Sequence, residues 1–358
     1  MYLKTLYLRN FRNYADLEVH FSPKVNVFYG NNAEGKTNLL EAIYFISTGR
    51  SFRTTKLQEL ISHGKDFFYL EAVLVKNGLD ETVKIYFDQK SKTIYCNEKK
   101  YHSFHQLLGI FPSVLQAPHD VELVEGSPNA RRRFLNLYLA QQDPLYVHHW
   151  IRYWKAMKQR NSLLKAKKTE AIECWEDQMA ISASYLTQKR SEALTELSAP
   201  LQSFNQQFNP QDEPIALRYL PSSSSQPHNI QQDYLKQLHT NRYKELQIGS
   251  TLAGPHRDDF LVSLQNHAAK AFASEGQKRS CAISLKLAEW ERLCQYTNQP
   301  AMMSFDDLGM HLDLTRQNRL KELLGHLHQV FITTPYEPED FADTSRLFQI
   351  KKGQVITA

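Results

Sequence analysis

The sequence predicts an α/β domain split along the chain by a helical insertion, and three observations predict it. The first hundred residues read as strands interrupted once by a glycine-containing loop, residues 144–208 lose every strand signal and turn helical, and strand-like runs resume near Phe260. A chain of 358 residues and 41.7 kDa exceeds one ordinary domain of about 150 residues. Hydrophobic residues at 42% against 23% charged can bury a core, which excludes a mostly disordered chain. No stretch approaches the roughly 18 uninterrupted apolar residues of a spanning helix, so no membrane-embedded role is expected. Arg9 and Arg12 precede any long apolar run, which argues against a secretory signal. Cys96, Cys174, Cys281 and Cys294 show no CxxC spacing and fit reduced thiols in the cytoplasm.

Each element follows from its pattern. Residues 17–21 alternate as a half-buried strand, and residues 25–29 form an apolar run after Pro23. Residues 70–75 and 82–87 flank Asn77-Gly78 and are expected as neighbouring antiparallel strands, with a third at 93–96. Further on, Ile151, Trp154, Met157 and Leu164 recur at helical spacing. Residues 162–196 contain neither proline nor glycine, which favours long helices in antiparallel contact. Residues 210–227 turn polar and read as an exposed connection. Strand-like residues 260–264, a helix over 276–296, and apolar runs at 301–305 and 329–334 complete the chain. The expected division is 1–143 and 250–358 for the two parts of one domain, with 144–249 as the helical arm.

Gly30-Asn31-Asn32-Ala33-Glu34-Gly35-Lys36-Thr37 fits GxxxxGK[ST] without a mismatch, after an apolar strand and before helix-forming Asn38-Leu39-Leu40. Glycines let such a loop wrap closely, so that backbone N–H groups and the helix N-terminus face phosphate oxygens. Lys36 is then expected to bridge the β- and γ-phosphates of a nucleotide, and the Thr37 hydroxyl to ligate Mg²⁺. Later, Met302-Met303-Ser304-Phe305-Asp306-Asp307 is an apolar strand ending in two acids. Asp306 suits the magnesium shell, and Asp307 stands where a base or water-orienting group belongs. An apolar strand ending in Asp-Asp can also be a plain turn.

Net charge is only +5, but residues 151–170 hold seven Lys or Arg and one acid, with Arg131-Arg132-Arg133 upstream. Such a concentration fits a polyanion-facing surface, or simply a solvated helix face. Trp150, Tyr153 and Trp154 interleave with it, either as core anchors or as base-stacking groups. Ser274-Glu275-Gly276-Gln277 opens a helical segment 32 residues before Asp306. It is either an ordinary N-cap or a second phosphate-seeking helix start, which a head-to-tail dimer would place on another copy's nucleotide.

Several segments together carry a resemblance. Residues 6–14, the phosphate loop, Ser274-Glu275-Gly276-Gln277 and Phe305-Asp306-Asp307 resemble the ABC-type ATPase heads of the SMC family. Residues 125–136, 158–165 and 251–259 bring the chain closer to the RecF family of bacterial recombination mediators. The resemblance implies a P-loop NTPase of ABC/SMC-head type with an antiparallel β lobe. It places Gln116, in Leu115-Gln116-Ala117-Pro118, at the metal- and water-contacting Q-loop, and adds Arg12 and Asn38 to the nucleotide contacts. His119 stands where the family usually has an acid, which reappears at Asp120. His311 departs from the usual Glu-Leu-Asp, while Thr333-Thr334 at the switch position suits the family.

What the resemblance implies is an ATP-gated clamp that dimerises on gapped or junction DNA, works with RecO and RecR to load a recombinase in repair, replication restart and the SOS response, and lets go on slow hydrolysis. The DNA contacts expected on the arm are Arg152, Lys155, Lys158, Arg160, Lys165, Lys167 and Lys168. The alternative is a nucleotide-switched protein-interaction module with little hydrolysis. A phosphotransferase is more distant, because nothing indicates an acceptor pocket. His256 reads as part of a loop supporting the nucleotide lobe, and His148-His149 lack the partners of a metal site.

Overall fold

The computed structural model describes residues 1–208, 214–223, 229–308, 314–337 and 345–357. The chain forms two compact units, one of Met1–Asp120, Gln207–Pro210 and Lys286–Ala358, the other of Val121–Gln206 and Gln211–Leu285. The inserted unit is therefore larger than the expected 144–249 arm at both ends. Residues 125–136 and 251–259 are family-like segments, and they are bonded inside it.

The first part of the outer unit holds β1 (Tyr2–Phe11), β2 (Tyr14–His20), β3 (Val25–Tyr29) and α1 (Lys36–Thr48). It continues through β4 (Phe67–Lys76), β5 (Leu79–Asp88), β6 (Lys92–Cys96) and β7 (Lys99–Tyr101) to β8 (Ser113–Gln116). The insertion follows with α2 (Glu122–Glu125), α3 (Pro128–Gln142), α4 (Pro144–Lys165), α5 (Ile172–Phe208), β9 (Ile215–Leu220) and α6 (Ile230–Ile248). Then come β10 (Asp259–Leu264), β11 (His267–Ala268), α7 (Ala269–Phe272) and α8 (Glu275–Thr297), whose second half belongs to the outer unit. The chain closes with β12 (Met302–Phe305), α9 (Leu314–Leu324), β13 (Val330–Thr334), β14 (Arg346–Lys351) and β15 (Gln354–Thr357).

Two sheets build the outer unit. One is antiparallel, in the order β2-β1-β4-β5-β6-β7. Its β4–β5 hairpin turns on Asn77 (φ 52°) and Gly78 (φ 79°), the paired left-handed residues that match strand twist. The other runs β15-β14-β3-β13-β12-β8 and is parallel apart from its edge strand β15. Buried Phe11, Phe45 and Phe68 meet edge to face around α1. Eleven of the thirteen residues of α1 are buried, so it is a core helix with no solvent stripe. Gln329 ties the starts of two strands by accepting from Leu3 N (2.7 Å) and donating to Leu3 O (2.8 Å).

In the inserted unit, α4 and α5 are antiparallel as expected: Tyr146 bonds Arg190, His149 stacks on Tyr185, and Arg160 pairs with Glu176. Three expectations are corrected here. The buried face of α4 is Tyr146, Val147, Tyr153, Ala156, Met157, Arg160 and Leu164, whereas Ile151 and Trp154 are exposed. Spacing alone misplaced that face, because a small alanine and a paired arginine share it. Within the polar 210–227 stretch, residues 215–220 form β9, which pairs with β10 through an alternation the flanking residues masked. His256 supports the inserted unit rather than the nucleotide lobe: Nδ1 meets Tyr153 Oη at 2.7 Å and Nε2 meets Thr251 O at 3.2 Å. Burial pushes its pKa down to about 4. Among the described residues, no helix is long and apolar enough to cross a membrane.

Candidate functional site

The parallel strands set the site. β3, β13, β12 and β8 run in register, so their C-terminal ends line up, which is where open α/β sheets bind ligands. The phosphate loop leaves the end of β3 and enters α1 directly. Gly30 (φ 140°) and Gly35 (φ 123°) take conformations that side-chain-bearing residues rarely adopt. A Cβ at Gly35 would stand 2.6 Å from Asn13 Nδ2. α1 has no side-chain cap and no acid in its first turn, so its first N–H groups remain available to an anion. Lys36 is buried and its Nζ donates to Gly30 O (2.7 Å) and Asn31 O (2.9 Å). Burial lowers its pKa, against the pull of Asp307, Asp306 and Glu34.

Asp306 follows β12 and faces the loop. Its Oδ1 accepts from Thr37 Oγ1 (2.9 Å) and from Thr333 Oγ1 (2.9 Å) at the end of β13. Burial raises its pKa although both hydroxyl bonds favour the charged form. Asp307 takes a left-handed conformation (φ 52°), and its N–H donates to Thr333 Oγ1 at 2.7 Å. Gln116 ends β8 opposite Phe305; Asp306 N donates to Gln116 O (2.9 Å), and Gln116 Nε2 donates to Ala117 O (3.1 Å). Asp120 caps this segment by accepting from Ala117 N at 2.7 Å. Lys36, Thr37, Gln116, Asp306 and Asp307 are thus carried together by neighbouring strand ends. The Thr37 hydroxyl and the Asp306 carboxylate are hard oxygen donors, and such a pair suits Mg²⁺, which takes few protein ligands beside phosphate and water oxygens.

Arg12 is engaged on the other side of the loop. Its Nε and Nη2 form a bidentate pair with the buried Glu41 of α1, both at 2.8 Å, and Nη1 donates to Glu59 O at 2.7 Å. Sequence reasoning assigned nothing to Asn13, Glu41 or Arg53. Asn13 Nδ2 donates to Glu34 O (3.0 Å) and its Oδ1 accepts from Asn38 Nδ2 (2.8 Å), while Arg53 Nη1 donates to Asn38 Oδ1 (2.6 Å). The signal for Asn13 was its place between Arg12 and Tyr14 in the family-like run of residues 6–14.

Ser274 and Gln277 belong to the inserted unit, where they form a capping box at the start of α8. Gln277 N donates to Ser274 Oγ (3.2 Å) and Ser274 N donates to Gln277 Oε1 (2.9 Å). Gly276 lies in the same first turn. His311 lies outside the described residues.

The basic arm is only partly a surface. Lys155, Lys158, Lys165, Lys167 and Lys168 are exposed and Arg152 is half-buried. Arg160 is corrected: its side chain is 0% exposed, bonded to Glu176 (2.8 Å), Glu245 (2.6 Å) and Thr251 (2.9 Å), so no phosphate can reach it. A buried guanidinium needs paired carboxylates, and the fold supplies two. Of the arginine triplet, Arg131 is also buried, paired with Asp259 at 2.7 and 2.9 Å, and Arg132 donates to Asp258 O. Among the described residues, no group of three or more His, Cys, Asp or Glu could hold a metal ion.

Comparison with known proteins agrees with this arrangement. Residues 2–357 match the family described as "RecF/RecN/SMC N terminal domain". A curated relative from Protochlamydia amoebophila, named DNA replication and repair protein RecF, is 43% identical over 93% of this chain and 94% of its own. The protein of the same name from Chlamydia caviae is 38% identical over 99% and 98%. A solved structure, "Structure of the recombination mediator protein RecF-ATP in RecFOR pathway", superposes with a TM-score of 0.93 at 29% identity, covering 100% of this chain and 97% of that one. The mixed sheet with its phosphate loop, the antiparallel lobe and the helical insertion are those of an ABC/SMC-type ATPase head, and the chain belongs to the RecF family.

Proposed function

We propose that the chain is an ATP-gated DNA clamp of replication and repair, with weak ATPase activity. The observation that carries the reading is the bond from Thr37 to Asp306, residues 269 positions apart, beside a buried Lys36. Among the described residues, neither Lys36 nor Asp306 has an ion-pair partner within 4 Å, so both charges await a ligand of mixed charge such as magnesium and a triphosphate. Lys36 and the first N–H groups of α1 would hold the phosphates, and Thr37, Asp306 and Gln116 would hold the metal. Bound magnesium would neutralise phosphate charge. Asp307 would orient the attacking water, its backbone fixed by Thr333. The remaining loop residues, Asn31, Asn32, Ala33 and Glu34, contribute backbone to the cradle.

The names of the curated relatives support the repair role, and the solved ATP complex of the RecFOR pathway points to RecO and RecR as partners. ATP would drive a homodimer in which Ser274, Gly276 and Gln277 of one copy approach the nucleotide of the other. The exposed lysines of α4 and the following turn would contact phosphates of gapped or junction DNA without sequence preference. Sizing the purified protein with and without ATP, alongside binding to gapped, single-stranded and duplex DNA, tests the reading. ATP is expected to increase both dimerisation and gapped-DNA binding; failure of both would reject the clamp. A Ser274→Arg variant should still bind ATP as a monomer yet not dimerise.

A second reading, a nucleotide-switched protein-docking module, is favoured by the exposed Ile151, Trp154, Tyr243 and Ile248 on α4 and α6. DNA binding unaffected by salt or by reversing charge at Lys158 would favour it.

A further inference from the structure

The turn between β14 and β15 joins Lys351 to Gln354 through Lys352 (φ 48°) and Gly353 (φ 71°), a two-residue hairpin loop with both residues left-handed. In such a loop the two central N–H groups take no part in the strand ladder. Here both are spent on one residue of the phosphate loop. Gly353 N donates to Glu34 O (3.0 Å), and Lys352 N donates to the Glu34 carboxylate. The same Glu34 carbonyl accepts from Asn13 Nδ2 (3.0 Å), and the next one, Gly35 O, accepts from the buried Tyr14 hydroxyl (3.0 Å).

The fit is close at both ends of the loop. A Cβ at Gly353 would stand 2.5 Å from Asn13 O, and one at Gly30 would collide with Ile350 O. The phosphate loop is therefore gripped from behind by two turns remote in sequence, Asn13-Tyr14 and Lys352-Gly353. A loop that binds phosphate through backbone N–H groups gains affinity when its shape is set beforehand.

We infer that the β14–β15 turn belongs to the nucleotide site, with Lys352 and Gly353 acting as positioning residues that hold the phosphate loop in its binding shape through Glu34. The inference rests on the reading of that loop as the ATP site. Glu34 separates this role from simple electrostatics. A carboxylate beside a triphosphate repels it, so removal should strengthen binding if charge were its only effect. As an anchor it should do the opposite.

The test is titration of the full-length protein with MgATP, by calorimetry or a fluorescent ATP analogue. Glu34→Ala is expected to weaken ATP binding about 5- to 10-fold, and Glu34→Gln, which keeps an acceptor for Lys352 N, to stay within about 2-fold of the parent. Gly353→Ala should weaken binding about 10-fold through the left-handed φ and the collision with Asn13 O. ADP affinity should fall alongside, while thermal unfolding without nucleotide stays cooperative. Glu34→Ala binding ATP as tightly as the parent or tighter would overturn the inference, whatever happens to Gly353→Ala. Should Lys36→Ala bind ATP normally, the reading of the loop as the ATP site falls instead.

Discussion

Buried charge is treated in opposite ways in the insertion and at the strand ends of the outer unit. In the insertion, Arg160 sits between Glu176 and Glu245, Arg131 pairs with Asp259, and Arg190 reaches Asp258 (3.3 Å), Tyr146 and Asn136. Each buried cation there has an anion, and burial costs are offset inside the fold. At the strand ends of the outer unit, Lys36 leans on two carbonyls and Asp306 on two hydroxyls. Neutral partners satisfy hydrogen bonds without cancelling charge. The contrast separates scaffold from site: saturated charges hold a shape, whereas charges given only neutral partners are set for a ligand.

The effect that bears most directly on this contrast is at Lys36. Lys36→Ala should weaken ATP binding by on the order of 100-fold or more, because a charge-assisted phosphate contact is lost from a buried site. Unchanged ATP affinity in a titration would erase the distinction between the units. Arg160→Ala comes next. It strands Glu176 and Glu245 and should destabilise the inserted unit by about 3–5 kcal/mol, seen as a lower denaturant midpoint. Were Arg160 instead a DNA contact, the midpoint would hold and DNA affinity would fall.

Lys155→Glu and Lys158→Glu reverse exposed charges and should leave the unfolding midpoint in place. Each is expected to weaken DNA binding several-fold and flatten the plot of log affinity against log salt by about 1. The smallest effect sharpens the contrast from the other side. Because burial raises the Asp306 pKa above its unfolded value, its contribution to stability is present at low pH and is lost as pH rises through the folded pKa. Asp306→Asn should therefore raise the melting temperature of the nucleotide-free protein at neutral pH while impairing magnesium-dependent ATP turnover. A lower melting temperature in that variant would mean the carboxylate is structural.

Motif residues were legible to differing degrees for a physical reason. Gly30, Gly35, Lys36 and Thr37 are fixed by a local backbone shape, so eight consecutive residues announced them. Asp306 was legible as the end of an apolar strand, although only the register of β3, β13 and β12 brings it to Thr37. The segments 125–136 and 251–259 were specific enough to signal the family, and the structure gives them a scaffolding contact: Arg131 and Asp259 meet in a half-buried ion pair.

What the sequence determined by itself was the phosphate loop, the hairpin at Asn77-Gly78, the long helices and the family, because each depends on neighbours in the chain or on a motif of fixed spacing. Tertiary structure alone decided which face of α4 is buried, that Arg160 is core while Lys158 is surface, that residues 215–220 form a strand, and that a turn at Lys352-Gly353 grips Glu34. Those outcomes depend on partners dozens to hundreds of residues away. A charge, in particular, carries no local mark of whether its counter-charge will be another side chain or something the protein binds.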